Sequence, residues 1–155
     1  MTGNRQQATG NREQRTKRDR KPRYEYVTVQ VDEMSKIMDY KDLVAWQKGR
    51  QLVREVYRLT NRLPKEEMYA MSSQIHRSAI SIPANIAEGY GRNYLQDYIR
   101  FLRIARGSCY ELETQLILCE DLGYFSQEDA AQVVVLLNET QKLLIGLLQS
   151  LEAKG

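Results

Sequence analysis

The stretch Ser81-Ile82-Pro83-Ala84-Asn85-Ile86-Ala87-Glu88-Gly89 decides how the chain folds, because it places polar and helix-breaking residues inside sequence of helical period. Met68, Met71, Ile75, Ala79, Ile82 and Ile86 recur at three- and four-residue steps, which is one apolar face of an amphipathic helix. Pro83 lies within that face. Lacking an N–H and crowding the carbonyl four residues back, it predicts a kinked helix or a break at Ser81–Ile82. The segment is expected to start near Lys65 and to stop at Gly89-Tyr90-Gly91.

Reading outward, three more segments have the same character. Ala45, Gly49, Leu52, Val56, Leu59 and Leu63 follow a four-three alternation that Leu63-Pro64 ends, giving helix one from about Asp42. Leu95, Tyr98, Leu102, Ala105, Cys109, Leu112, Leu116 and Cys119 hold a heptad seam as far as Gly123, giving helix three. Helix four opens with Ser126 as N-cap and Glu128 and Asp129 in its first turn, where the helix dipole favours carboxylates. It is apolar around more of its circumference than one bundle face needs, from Val133–Leu137 to Leu143–Leu151, which predicts a subunit interface. Four such helices with short connections make an all-α, antiparallel up-down-up-down four-helix bundle over residues 39–155.

Residues 1–38 read as a flexible basic arm. The first 23 carry eight Lys or Arg against two acidic residues and only Met1 and Ala8 as apolar ones, too little burial to offset ordering entropy. Residues 24–31 have β-propensity and are read as a short strand. The arm's cations include Arg15, Lys17, Arg18, Arg20, Lys21 and Arg23. They resemble a nucleic-acid-binding tail, and a solubilising or appended extension is the competing reading.

The overall net charge of +3 hides a division within the bundle. Residues 41–106 have 12 basic and 6 acidic residues, whereas residues 107–155 have 2 and 8. Such a dipolar subunit complements a copy of itself or offers a basic face to a polyanion. Arg50, Arg54, Arg58 and Arg62 recur every four residues, a stripe about 18 Å long. Arg100, Arg103 and Arg106 form a shorter row. Arginine grips phosphates through its fork of donors. The alternative is a solvated face, or ion pairs to the acidic fourth helix.

The sequence carries few residues that point to chemistry. One histidine, His76, with no glutamate three residues before it, excludes a ferritin-like di-iron centre, and no zinc spacing or phosphate-binding loop is present. No metal or cofactor is expected. His76 with Ser78 or Ser81 lacks the third, convergent member of a triad, so the chain is read as no enzyme. Cys109 and Cys119, ten residues apart in one helix, are too distant to bridge. With no signal peptide and no apolar run of membrane-spanning length, cytoplasmic residence and no membrane contact are expected. Glu88, near a helix C-terminus where the dipole disfavours it, needs a cation, with Arg77, Arg92, Arg103 and Arg106 as candidates.

The run from Gln74 to Arg92, together with Phe101–Ser108, Glu111–Leu116 and Leu122-Gly123-Tyr124, resembles the four-helix-bundle proteins encoded in bacterial 23S rRNA intervening sequences. The resemblance spans about Tyr40 to Leu151, with Ala70 standing where the family typically has glycine. It implies a left-handed bundle assembled into a ring, a homopentamer, with a basic surface or channel and no enzymatic activity. Related proteins accompany reverse transcriptases of diversity-generating retroelements, so RNA or DNA and a reverse transcriptase, or another nucleic-acid enzyme, are the implied partners. The opening motifs then read as fold determinants: Pro83 shapes helix two, Gly89 ends it, and Gly107 and Ser108 permit close packing. Arg77, Ser81, Asn85 and Arg92 belong to the same motif, and Glu88, Glu111 and Glu113 are available to arginines. A scaffold that assembles with protein partners and binds no nucleic acid is the alternative function.

Overall fold

A computed structural model describes residues 39–154, so the arm, the expected strand at 24–31 and the arm's cations lie outside the described residues. Four helices follow a short 3-10 turn at Tyr40–Asp42: α1 (Val44–Thr60), α2 (Met71–Gly91), α3 (Leu95–Asp121) and α4 (Gln127–Glu152). Each packs on its sequence neighbour and α1 closes the ring against α4, which is the expected four-helix bundle. The seams read from the sequence form its core. Leu52, Val56, Ile75, Ile82, Ile86, Leu102, Leu112, Leu144 and Leu148 are fully or almost fully buried.

The ends of the elements follow local chemistry. Ser126 and Asp129 form a reciprocal capping box on α4, Asp129 N–H donating to Ser126 Oγ at 3.2 Å and Ser126 N–H to Asp129 Oδ2 at 3.0 Å. At the other side of that loop α3 closes in a Schellman motif. Gly123 takes φ +74, its N–H donates to the Glu120 carbonyl and the Tyr124 N–H to that of Cys119, both at 2.9 Å.

Several expectations are corrected. Helix two does not begin near Lys65: Lys65–Glu67 is a separate 3-10 turn, and Met68 is exposed rather than on the core face. Glu67 explains the later start, because its carboxylate accepts the Met71 N–H at 3.3 Å and the Tyr124 hydroxyl at 2.8 Å. No break occurs at Ser81–Ile82, and α2 runs uninterrupted through Pro83. The proline instead faces Gly49, where an added Cβ would lie 3.4 Å from Pro83 Cβ, so α1 and α2 approach closely there.

Gly89 does not end α2 either. It is buried where a Cβ would meet Phe101 Cβ at 2.7 Å, so its lack of a side chain lets α2 and α3 touch. The chain turns instead at Asn93, whose φ of 60° is a conformation that asparagine tolerates better than most residues. Gly107, by contrast, is exposed with open space around its Cβ position, so it permits no close packing within the subunit.

By length and composition α4 alone among the described helices is apolar enough to cross a membrane, with a mean hydropathy of 1.3 over its most apolar window. Its Val133, Leu136, Leu137, Leu144, Leu147, Leu148 and Leu151 are nevertheless core residues, and buried Thr140 donates its hydroxyl to the Leu136 carbonyl at 2.7 Å. Among its large apolar residues only Val134 and Val135 are exposed. The larger apolar surplus lies on α3, where Ile104, Tyr110, Ile117 and Leu118 are exposed on the side away from its core seam.

Candidate nucleic-acid interface

Helical spacing lines up the arginines, but their neighbours decide which are available. Arg62, in the turn just after α1, reaches the α4 N-terminus and pairs with Asp129 at 2.9 Å. Arg58 pairs with Glu55 on its own helix. Lys48 crosses to Glu139 on α4 at 2.7 Å, and Arg103 joins α3 to Glu152 at the end of α4 at 2.7 Å. The acidic fourth helix therefore absorbs three cations of its own subunit. These exposed pairs add little stability each, yet they lower the charge offered to a partner.

Arg50 and Arg54, on either side of the middle of α1, have no carboxylate partner among the described residues. Instead, the Arg50 guanidinium lies over the Trp46 ring, 4.9 Å from its centroid. Trp46 is held from the other direction by Tyr40 in an edge-to-face contact at 5.2 Å, so the indole is fixed before anything binds. Gln47 donates its Nε2 to the Lys41 carbonyl at 2.9 Å. Together Lys41, Trp46, Gln47, Arg50, Gln51 and Arg54 line an open pocket of about 380 Å³. Asp39, 3.4 Å from the Lys41 ammonium, is the acidic residue beside it, and the Lys41 N–H holds its carboxyl below the usual range.

A second basic cluster is more heavily compensated. Arg92 and Arg100 both lie against Phe101, at 5.2 and 4.8 Å, while Glu88 pairs with Arg92 and Asp97 lies 3.7 Å from Arg100. Glu88 thus takes Arg92 among its four candidate cations. Arg77 is exposed and Arg106 half-buried, and neither has an ion pair among the described residues.

The remaining motif residues build helix contacts. Ser81 Oγ and Ser108 Oγ lie 2.8 Å apart, Asn85 Nδ2 donates to the Ser81 carbonyl at 2.7 Å and to Ser81 Oγ at 2.9 Å, and Ser108 donates to the Ile104 carbonyl. This polar chain joins α2 to α3. Glu111 and Glu113 accept from Gln115 and Gln141 rather than from arginines.

The catalytic candidates do not converge. His76 Nε2 lies 2.7 Å from Thr60 Oγ with the imidazole stacked on Tyr57 at 3.8 Å, and Ser78 donates to the Gln74 carbonyl. Both cysteines are free and buried, and burial pushes the Cys109 thiol up to about 12 and the Cys119 thiol to about 11. Both stay protonated at neutral pH and are poor nucleophiles. Among the described residues no group of three or more His, Cys, Asp or Glu could hold a metal ion.

Lys41, Trp46, Gln47 and Gln51 were not among the sequence candidates. The four-residue step from Trp46 to Arg50 is the signal that places a cation over an indole on one helix face.

Comparison with known proteins agrees with this architecture. The sequence model of the 23S rRNA-intervening sequence protein family matches residues 41–146. Among solved structures, the bundle is similar to a protein of unknown function from the S23 ribosomal protein family of Bacteroides thetaiotaomicron. The two are 30% identical with a TM-score of 0.63, over 68% of this chain and 98% of that one. No curated protein matches the chain.

Proposed function

The chain belongs to the 23S rRNA-intervening sequence protein family, and from that premise we propose that it is a non-enzymatic, homo-oligomeric protein that binds RNA through the middle of α1. The observation that carries this reading is that Arg50 and Arg54 lack carboxylate partners among the described residues while Arg58, Arg62 and Arg103 have them. Unneutralised cations release counterions when they meet phosphates, and that release supplies most non-specific affinity for nucleic acid. The family resemblance supports a ring of five subunits and a reverse transcriptase or other nucleic-acid enzyme as protein partner. Fluorescence anisotropy of labelled RNA across a salt series tests it. Affinity falls steeply as salt rises, and an intact oligomer that binds no RNA at low salt overturns the reading.

One observation favours the scaffold alternative. The exposed Ile104, Tyr110, Ile117 and Leu118 give α3 an apolar outer face suited to protein association. Mass measurement of the native particle, with and without Ile117→Glu, reads that contribution. A scaffold loses its assembly and never shows RNA affinity.

A further inference from the structure

We propose that the pocket formed by Lys41, Trp46, Gln47, Arg50, Gln51 and Arg54 is a nucleotide subsite that takes one unpaired residue of single-stranded RNA. The inference rests on the RNA-binding reading above and narrows it to a position and a form of RNA.

A single-stranded RNA offers a protein three things that a duplex hides or blunts: a free base face, a free base edge and a flexible phosphate chain. The pocket has a counterpart for each. Arg50 carries a planar cation whose Cζ lies over the indole, 4.9 Å from its centroid. Bases stack on guanidinium planes as they do on aromatic rings, and Trp46, braced by Tyr40, keeps this one from tumbling. The base edge meets amides. With Nε2 committed to the Lys41 carbonyl, Gln47 keeps its Oε1 as an acceptor for an exocyclic amine or a ribose 2′-hydroxyl. Gln51, one turn further on, carries both a donor and an acceptor.

The phosphates have Arg54, one turn beyond Arg50 and about 6 Å along the axis, while Lys41, paired with Asp39, also lines the pocket. Size selects the ligand as well. A volume of about 380 Å³ is at the small end of the range for small-molecule pockets, enough for one nucleotide and too small for the face of a helix. Electrostatics alone would spread binding over every exposed cation. The Arg50 guanidinium over Trp46, with Tyr40 edge-on to the indole, distinguishes this site from Arg92 and Arg100, whose shared ring, Phe101, is buried and whose charges are matched by Glu88 and Asp97.

Trp46 is the sole tryptophan of the chain, so its emission reports on this pocket and nothing else. The full-length protein is titrated with a short oligoadenylate and with an RNA duplex of equal length. Anisotropy of the end-labelled RNA measures total binding while Trp46 emission measures occupancy of the pocket. The oligoadenylate quenches Trp46 along the same curve that anisotropy follows, and the duplex binds without quenching. Arg50→Lys, which keeps the charge and loses the plane on an exposed side chain, weakens oligoadenylate binding roughly tenfold and weakens duplex binding far less. Oligoadenylate that binds by anisotropy without altering Trp46 emission, or that binds Arg50→Lys as well as the parent, overturns the subsite and leaves RNA binding standing. Absence of any anisotropy change with either RNA removes both.

Discussion

The two ends of the bundle are built from similar residues to different effect. At the end where α1 and α3 finish and α2 and α4 begin, polar groups are matched across elements. Arg62 pairs with Asp129, Tyr124 donates to Glu67, His76 meets Thr60, and Ser126 and Asp129 cap α4. At the end where α1 begins, cations lie against aromatic rings, Arg50 on Trp46 and both Arg92 and Arg100 on Phe101. Arg92, Arg100 and Arg103 are paired there with Glu88, Asp97 and Glu152, whereas Arg50, and Arg54 further along α1, have no carboxylate partner among the described residues. Matched charges hold loops in place, whereas unmatched ones are free for a partner. One stripe of evenly spaced arginines therefore contains two kinds of residue.

The strongest way to break this comparison is to reverse charge at one end at a time. Arg50→Glu with Arg54→Glu is expected to weaken RNA binding by roughly a hundredfold and to flatten its salt dependence. Arg58→Glu with Arg62→Glu changes the net charge equally and is expected to weaken binding far less. Equal losses in anisotropy titrations would mean that total charge, not pairing, governs affinity.

Stability should respond in the opposite sense. Ser126→Ala removes the hydroxyl that accepts the Asp129 N–H, and loss of such a cap costs about 1 kcal/mol, read as a lower denaturant midpoint at unchanged slope. Arg62→Ala should cost no more than about 1 kcal/mol, the ceiling for an exposed ion pair. Arg54→Ala should leave the midpoint unmoved. A destabilising Arg54→Ala would show that the open end also holds the fold together.

How much of this was legible in sequence depends on what sets each feature. The seam of α3 and the cap of α4 follow from residues close together in the chain, and Leu102, Leu112, Leu116 and Ser126 fall where their spacing puts them. The glycines follow the same period: Gly89 extends the Ile82 and Ile86 face of α2 and touches Phe101, whereas Gly107 lies opposite the Ala105 and Cys109 seam of α3 and faces open space. Pairing of the arginines is different. Arg54 and Arg62 share one spacing, and only the axial offset of α4 brings Asp129 to the second. The role of Trp46 emerges only from Arg50 above it and Tyr40 at its side.

The smallest expected effect also belongs to the matched end, and it depends on pH. Burial beside Tyr57 and Thr60 holds the His76 imidazole below its ordinary value of 6.5, so the unfolded chain takes up a proton before the folded one does. Stability from this site is fully present above 6.5 and erodes as the pH falls from there through the lower folded value. Thr60 Oγ donates to the Tyr57 carbonyl at 3.1 Å, which leaves its oxygen to accept from Nε2–H and fixes the neutral tautomer. Since His76 is the single histidine of the chain, its ring proton shifts can be followed without assignment. A midpoint below 6.5 is expected, together with a modest loss of stability on mild acidification that His76→Gln abolishes. A midpoint at or above 6.5 would mean that the imidazole is solvated and that this end is less tightly matched than its contacts imply.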